Sequence, residues 1–146
     1  MSDLEIVRAL AHRYVDTICR LDVDAWADTW DDDATWEIGR GPVQGRTAIT
    51  EAFARAMSLF DHVLQLLHSG DATLDHTTGT GAGRWYFSEY SRTKTGKNLL
   101  YLGAYDDTYR LGPDGRWRFA SRTLEWLYQG PADLSGTFGP PPGYTR

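Results

Sequence analysis

The chain predicts an α+β fold in which three N-terminal helices pack on a curved antiparallel sheet shaped as a cone-like barrel. Two observations carry this. Apolar positions recur at helical spacing up to about residue 60, and beyond residue 61 the period changes to that of strands. Four strand-like segments then follow one another, joined by connectors with hairpin chemistry. Helices gathered first and antiparallel strands afterwards exclude a doubly wound sheet.

Ser2-Asp3-Leu4-Glu5 reads as a capping box that opens a helix. Leu4, Val7, Ala11, Tyr14, Ile18 and Leu21 continue it by threes and fours, with Asp22 at the end of the stripe. Asp22-Val23-Asp24 breaks the pattern and offers a new N-cap for a short second helix bearing Trp26, Ala27 and Trp30. Asp31-Asp32-Asp33 reads as a solvated turn, since no calcium-loop spacing accompanies it. Ala34–Ile38 predicts a short strand, the glycines and proline of 39–45 mark turns, and Thr47 is placed to cap a third helix with Ile49, Phe53, Ala56, Met57 and Phe60 on one side. The long strands are expected over 62–75, 82–93, 98–111 and 116–129. Residues 1–130 then form one domain. The Gly- and Pro-rich stretch 131–146 is a tail, either disordered or strapped across the body.

Composition narrows the function classes. The 146 residues suit a single core, with formal charge -5 and no Lys/Arg cluster, which argues against nucleic-acid and anionic-membrane partners. The single cysteine, Cys19, leaves no disulfide framework and no CxxC metal site. No apolar run reaches the ~18 residues of a bilayer span, and no secretory signal opens the chain, so a cytoplasmic location is expected. Six Trp, eight Tyr and five Phe supply pocket walls for a flat or apolar small molecule.

Acid–base chemistry is the class that remains. His62 and His68 lie about 20 Å apart on an extended strand at ~3.3 Å per residue, too far to share one ion. The glycines of 79–83 enter a strand with no helix behind it, so they form no phosphate loop, and no nucleophile elbow is present. No metal and no cofactor are expected. Asp22 and His68 each occupy an apolar setting. Each has an ordinary reading, a helix cap for Asp22 and a satisfied core histidine for His68. If they meet, the carboxylate fixes the imidazole tautomer and supports its cation, making an oriented base. Arg122, amid Phe119, Ala120, Leu124 and Trp126, could stabilise a departing anion or an enolate, or pair with a carboxylate. Leu99, Tyr101, Gly103, Tyr105, Asp107 and Tyr109 share one strand face. On the concave side of a curved sheet Tyr101 and Tyr105, with Tyr14 on helix one, offer phenolic donors to a substrate; the alternatives are that the strand tyrosines face solvent or a partner subunit and that Tyr14 packs in the core.

The element order together with particular residues resembles the SnoaL-like group of the nuclear transport factor 2-like superfamily. The residues are Asp24–Trp30 running into Asp31–Trp36, Gly45-Arg46-Thr47-Ala48-Ile49 leading into helix three, and Trp117-Arg118-Phe119. Within that group the chain is most similar to the branch of hexachlorocyclohexane dehydrochlorinase and scytalone dehydratase. Arg20-Leu21-Asp22 and Leu67-His68-Ser69-Gly70 match the places of its Asp–His dyad, Arg122 matches an arginine after the last strand's Trp-x-Phe, and Trp36, Tyr101 and Tyr105 fall at pocket-lining places. Thr17 stands where the dehydrochlorinase has a lysine and Leu21 where the dehydratase has a tyrosine. The resemblance implies a cofactor-independent lyase, of dehydratase or related β-elimination type, acting on a small apolar cyclic substrate. An isomerase or cyclase, a non-catalytic binding module and a small subunit of a ring-hydroxylating oxygenase are the alternatives. Homodimeric or homotrimeric assembly is implied in the same way.

Overall fold

A computed structural model describes residues 1–140. Helix α1 runs Asp3–Cys19, opened by the reciprocal box in which Ser2 Oγ accepts from Glu5 N and Glu5 Oε2 accepts from Ser2 N. Val7, Leu10, Ala11, Tyr14, Thr17 and Ile18 form its buried face. Leu21 adopts a positive φ of 54° and turns the chain into the short helix α2, Val23–Ala27. That turn places Leu21 largely in solvent rather than at the end of the buried stripe.

Strand β1 spans Trp30–Glu37 and β2 spans Pro42–Gln44, followed by α3, Arg46–Met57. The acidic run 31–33 therefore lies inside a strand, not in a turn. Its charges are tolerated there because Arg110 Nη1 donates to Asp31 at 2.9 Å and Arg46 pairs with Asp32 at 3.0 Å. Trp30 belongs to this strand too, and not to the second helix. Gly45, with φ of 88°, is the N-cap of α3 and makes no side-chain cap bond, so the expected cap at Thr47 gives way to a residue that can take this backbone.

The long strands are β3, Phe60–Asp75; β4, Thr80–Thr93; β5, Asn98–Leu111; and β6, Trp117–Gly130. The sheet order is β2-β1-β6-β5-β4-β3, antiparallel except where β1 runs parallel to β6. It is curved and unclosed, with the three helices against it. A short β7, Thr137–Phe138, pairs with Tyr128 and Gln129 of β6, so this part of the tail is strapped to the sheet. The rest of the expected tail motif, beyond Pro140, lies outside the described residues.

Cross-strand register lays the concave face out in four rows from β3 to β6. Ala72, Gly83, Asp107 and Arg122 make the first, and Gly70, Trp85, Tyr105 and Leu124 the second. Leu67, Phe87, Gly103 and Trp126 make the third, and Gln65, Glu89 and Tyr101 begin the fourth. Helix α1 crosses these rows, with Asp3 accepting from Leu74 N at one end and Cys19 Sγ exchanging hydrogen bonds with the backbone of Gln65 at the other. Glycines in the rows make room for rings: a Cβ on Gly70 would lie 2.3 Å from the Trp85 ring, and one on Gly103 2.7 Å from that of Phe87.

Candidate active site on the concave face

The narrow part of the cone is filled by a polar chain enclosed in aromatic rings. Arg122 Nε and Nη2 donate to the two carboxylate oxygens of Asp107 at 2.8 and 3.1 Å. Tyr109 Oη donates to the same carboxylate at 3.0 Å and accepts from Trp85 Nε1 at 3.1 Å. The pair is sealed, with side-chain exposures of 2% for Arg122 and 0% for Asp107. The rings of Tyr105, Phe119 and Tyr14 lie 3.9, 4.0 and 4.4 Å from the guanidinium carbon, so the cation is held by faces as well as by the carboxylate. Burial pushes the Asp107 carboxyl up, while Arg122 and the Tyr109 hydroxyl pull it down. Three donors to one carboxylate keep it ionised.

Above this chain the Tyr14 and Tyr105 hydroxyls approach within 3.5 Å. Further along the groove stands a second inward carboxyl, that of Glu89, between Gln65 on β3 and Tyr101 on β5. Gln65 Nε2 donates to Glu89 Oε1 at 3.1 Å, and no cation pairs with Glu89 among the described residues. Burial pushes the Glu89 carboxyl up, with the Gln65 bond opposing. Burial also raises Tyr101 to about 12, Tyr105 well above an ordinary phenol, and Tyr14 in the same direction; the charge of Glu89 adds to all three shifts. One carboxyl and three phenols thus share an electrostatic neighbourhood. Neutral phenols at neutral pH are donors, which is the form needed to stabilise developing negative charge on oxygen.

The sequence-predicted residues distribute as follows. Arg122, Tyr14 and Tyr105 meet in the buried cluster, and Tyr101 faces the same groove beside Glu89. Trp36 packs against Trp26 and Trp30 in the core. Asp22 is the N-cap of α2, accepting from Ala25 N at 3.1 Å, with Arg20 Nη1 at 3.2 Å. His68 is exposed, and its Nε2 lies 2.8 Å from Ser88 Oγ. The hydrogen bonds of Asp22 and His68 thus run to different partners and do not join the two. A bulge follows at once in β3, where Leu67 pairs with Phe87 but Gly70 with Trp85, and it turns Gly70 and Ala72 to the concave face that Gln65 and Leu67 share. With Leu64 and Leu66 likewise exposed, the parity shared by those two leucines and His68 is that of the outer face.

Gln65 and Glu89 were not among the residues singled out from the sequence. Their signal was parity: Gln65 alternates with Val63 and Leu67, and Glu89 with Trp85 and Phe87, so each is a polar residue on an apolar row. Among the described residues no group of three or more His, Cys, Asp or Glu side chains is placed to hold a metal ion. No described helix is long and apolar enough to cross a membrane. Two surface hollows, of about 480 and 490 Å³, lie away from the cluster. One is lined by Leu64, Tyr90 and Pro131 beneath the tail, the other by Arg13, His76 and Trp117 near the N-terminus.

The SnoaL-like domain family matches the chain over residues 1–123. No curated protein matches it in sequence. Among solved structures, a candidate aromatic ring hydroxylase from Novosphingobium aromaticivorans is 25% identical over 92% of this chain and 93% of its own, with a TM-score of 0.79. A candidate scytalone dehydratase from the same organism is 16% identical over 97% and 94%, with a TM-score of 0.81. A hexachlorocyclohexane dehydrochlorinase is 19% identical over 96% and 94%, with a TM-score of 0.76. The last two likenesses speak for the fold.

Proposed function

Because the chain belongs to the SnoaL-like domain family, a fold whose solved relatives carry dehydratase, dehydrochlorinase and hydroxylase names, we propose that its concave groove is the active site of a cofactor-independent lyase. The reaction class is dehydration or a related β-elimination on a small, largely apolar, cyclic substrate. The observation that carries this reading is the placement of the inward Glu89 carboxyl directly opposite Tyr101, with the Tyr14 and Tyr105 hydroxyls 3.5 Å apart along the same groove. Leu67 and Phe87, directly opposite each other, and Leu124 supply apolar side chains beside that carboxyl. Elimination needs a base for a carbon-bound proton and a donor for the oxygen that leaves or becomes an enolate. The groove holds both in one row of side chains.

Arg122 serves this site from below. Arg122 Nε and Nη2 donate to Asp107 and its faces meet three rings, and it acts on substrate through the phenols of Tyr14 and Tyr105. Its fixed positive charge favours partial negative charge on those hydroxyls as they donate.

Cyclic β-hydroxy ketones test the reading, since loss of an α-proton and hydroxide yields water and a conjugated enone that absorbs in the ultraviolet. Turnover by the wild type, reduced at least tenfold in Y105F, is the expected result. Binding of the panel, seen as quenching of tryptophan fluorescence, without any enone formation would replace the lyase with a binding module. Neither binding nor turnover would remove the groove as the site.

A further inference from the structure

We infer that Glu89 is the proton-accepting residue of this groove and that Gln65 positions it. The inference rests on the groove being the active site and deepens that reading by naming its base. It starts from a contrast between two carboxyls on the same face. Asp107 receives two bonds from Arg122 and one from Tyr109, so its charge is compensated and its oxygens are occupied. Glu89 receives a single bond from the neutral amide of Gln65 and pairs with no cation among the described residues. A desolvated carboxylate without a counter-charge is costly to the fold, and such groups persist where chemistry uses them.

Placement supports the same role. Glu89 sits directly opposite Gln65 on one side and Tyr101 on the other, in register rather than at a frayed edge. Gln65 is 4% exposed and its backbone is tied to Cys19 of α1, so the amide that orients Oε1 is itself fixed. Glu89 is part-buried rather than sealed as Asp107 is. The groups facing it are Tyr101 and Tyr105 from β5, Tyr14 from α1 and Gln65 from β3, with the neutralised Arg122–Asp107 pair below. None is a cation free to hold the carboxyl ionised. Burial therefore raises its proton affinity above that of an ordinary glutamate, the direction that makes it a stronger base.

In the proposed step, a Glu89 oxygen takes the proton on the carbon next to a carbonyl. The C–H pair moves into the new double bond, and the β-carbon–oxygen bond breaks toward a phenol donor. The phenol's proton goes to the leaving oxygen to give water, and Glu89 then passes its proton to the phenolate, which restores both residues as the product departs.

The test uses 5-nitrobenzisoxazole, a flat probe in which removal of the C–H proton breaks the N–O bond. The product, 2-cyano-4-nitrophenolate, is coloured, and the reaction needs no other reactant. The wild type is expected to accelerate this reaction, with E89Q lowering the rate by about 10²- to 10⁴-fold. Q65L is expected to lower the rate by less than E89Q does and to shift the acid limb of the pH–rate profile, the sign of a positioning residue. A wild-type rate no greater than that of E89Q overturns the inference. Loss of rate in H68A with E89Q unaffected moves the base to His68 and leaves the lyase reading standing. Absence of both probe binding and hydroxy-ketone binding defeats the two together. Because E89Q is close to isosteric and keeps the bond from Gln65, folding is preserved in the decisive variant; its circular dichroism and melting temperature verify this.

Discussion

Asn in place of Asp107 keeps the side-chain shape but leaves the Arg122 guanidinium buried with no counter-charge. A guanidinium does not shed its proton in a protein, so the fold has no ionisation by which to escape. Removing one partner of a buried pair costs about 3–5 kcal/mol. The three aromatic faces around Arg122, at 3.9 to 4.4 Å, recover part of this, so the lower end applies, about 3 kcal/mol. For a chain near 150 residues that corresponds to a fall in melting temperature of about 6–12 °C. R122M strands the other charge, and here an escape exists: Asp107 takes up a proton. Its folded-state pKa then lies above the unfolded one. The destabilisation is full above the folded pKa and disappears as pH falls to the unfolded value near 4. D107N should therefore be equally unstable at pH 8 and pH 5, while R122M partly recovers at pH 5. Urea unfolding followed by tryptophan fluorescence measures both, and the double variant closes the cycle. A coupling energy of about 2 kcal/mol or more is expected between the two sites. A D107N cost under about 1 kcal/mol, or strict additivity in the double variant, would refute this account of the buried pair.

Two further outcomes follow from the groove. E89Q should be more stable than the wild type at pH 8 and indistinguishable from it at pH 4. The folded pKa of Glu89 is raised, so its stability contribution is greatest below the unfolded value and is lost as pH rises through the folded one; equal urea midpoints at both pH values would contradict the burial argument. D22A should cost about 1 kcal/mol through loss of the α2 N-cap. A much larger fall in probe turnover than in stability would show Asp22 acting on the chemistry.

The two carboxyls of the groove also explain why activity and stability pull apart in this molecule. Asp107 is built into the fold by three donors, and its substitution is felt as unfolding. Glu89 is held by one amide, and its substitution is felt as lost proton transfer. Residues of the same chemistry, three rows apart, differ only in what the neighbouring strands place beside them.

The capping box at Ser2, the stripe of α1 and the change of period after residue 61 were legible in the sequence because each depends on neighbours within a few positions. So was the face of β5 that Tyr101, Tyr105, Asp107 and Tyr109 share, though not that it points inward. Tertiary structure alone decided which of each strand's two faces points inward. His68 bonds Ser88 on the outer face, and a single bulge between Leu67 and Gly70 then turns Gly70 and Ala72 to the face that Gln65 and Leu67 share. Parity tells which residues travel together; a one-residue insertion in one strand exchanges the faces and is invisible to a period of two. The pairing of Arg122 with Asp107, 15 residues apart across a hairpin with its own irregular register, was likewise a matter of register. Sequence determined that this chain carries buried phenols, an inward arginine and spare carboxyls. Register decided which carboxyl the arginine neutralises and which one is left able to take a proton.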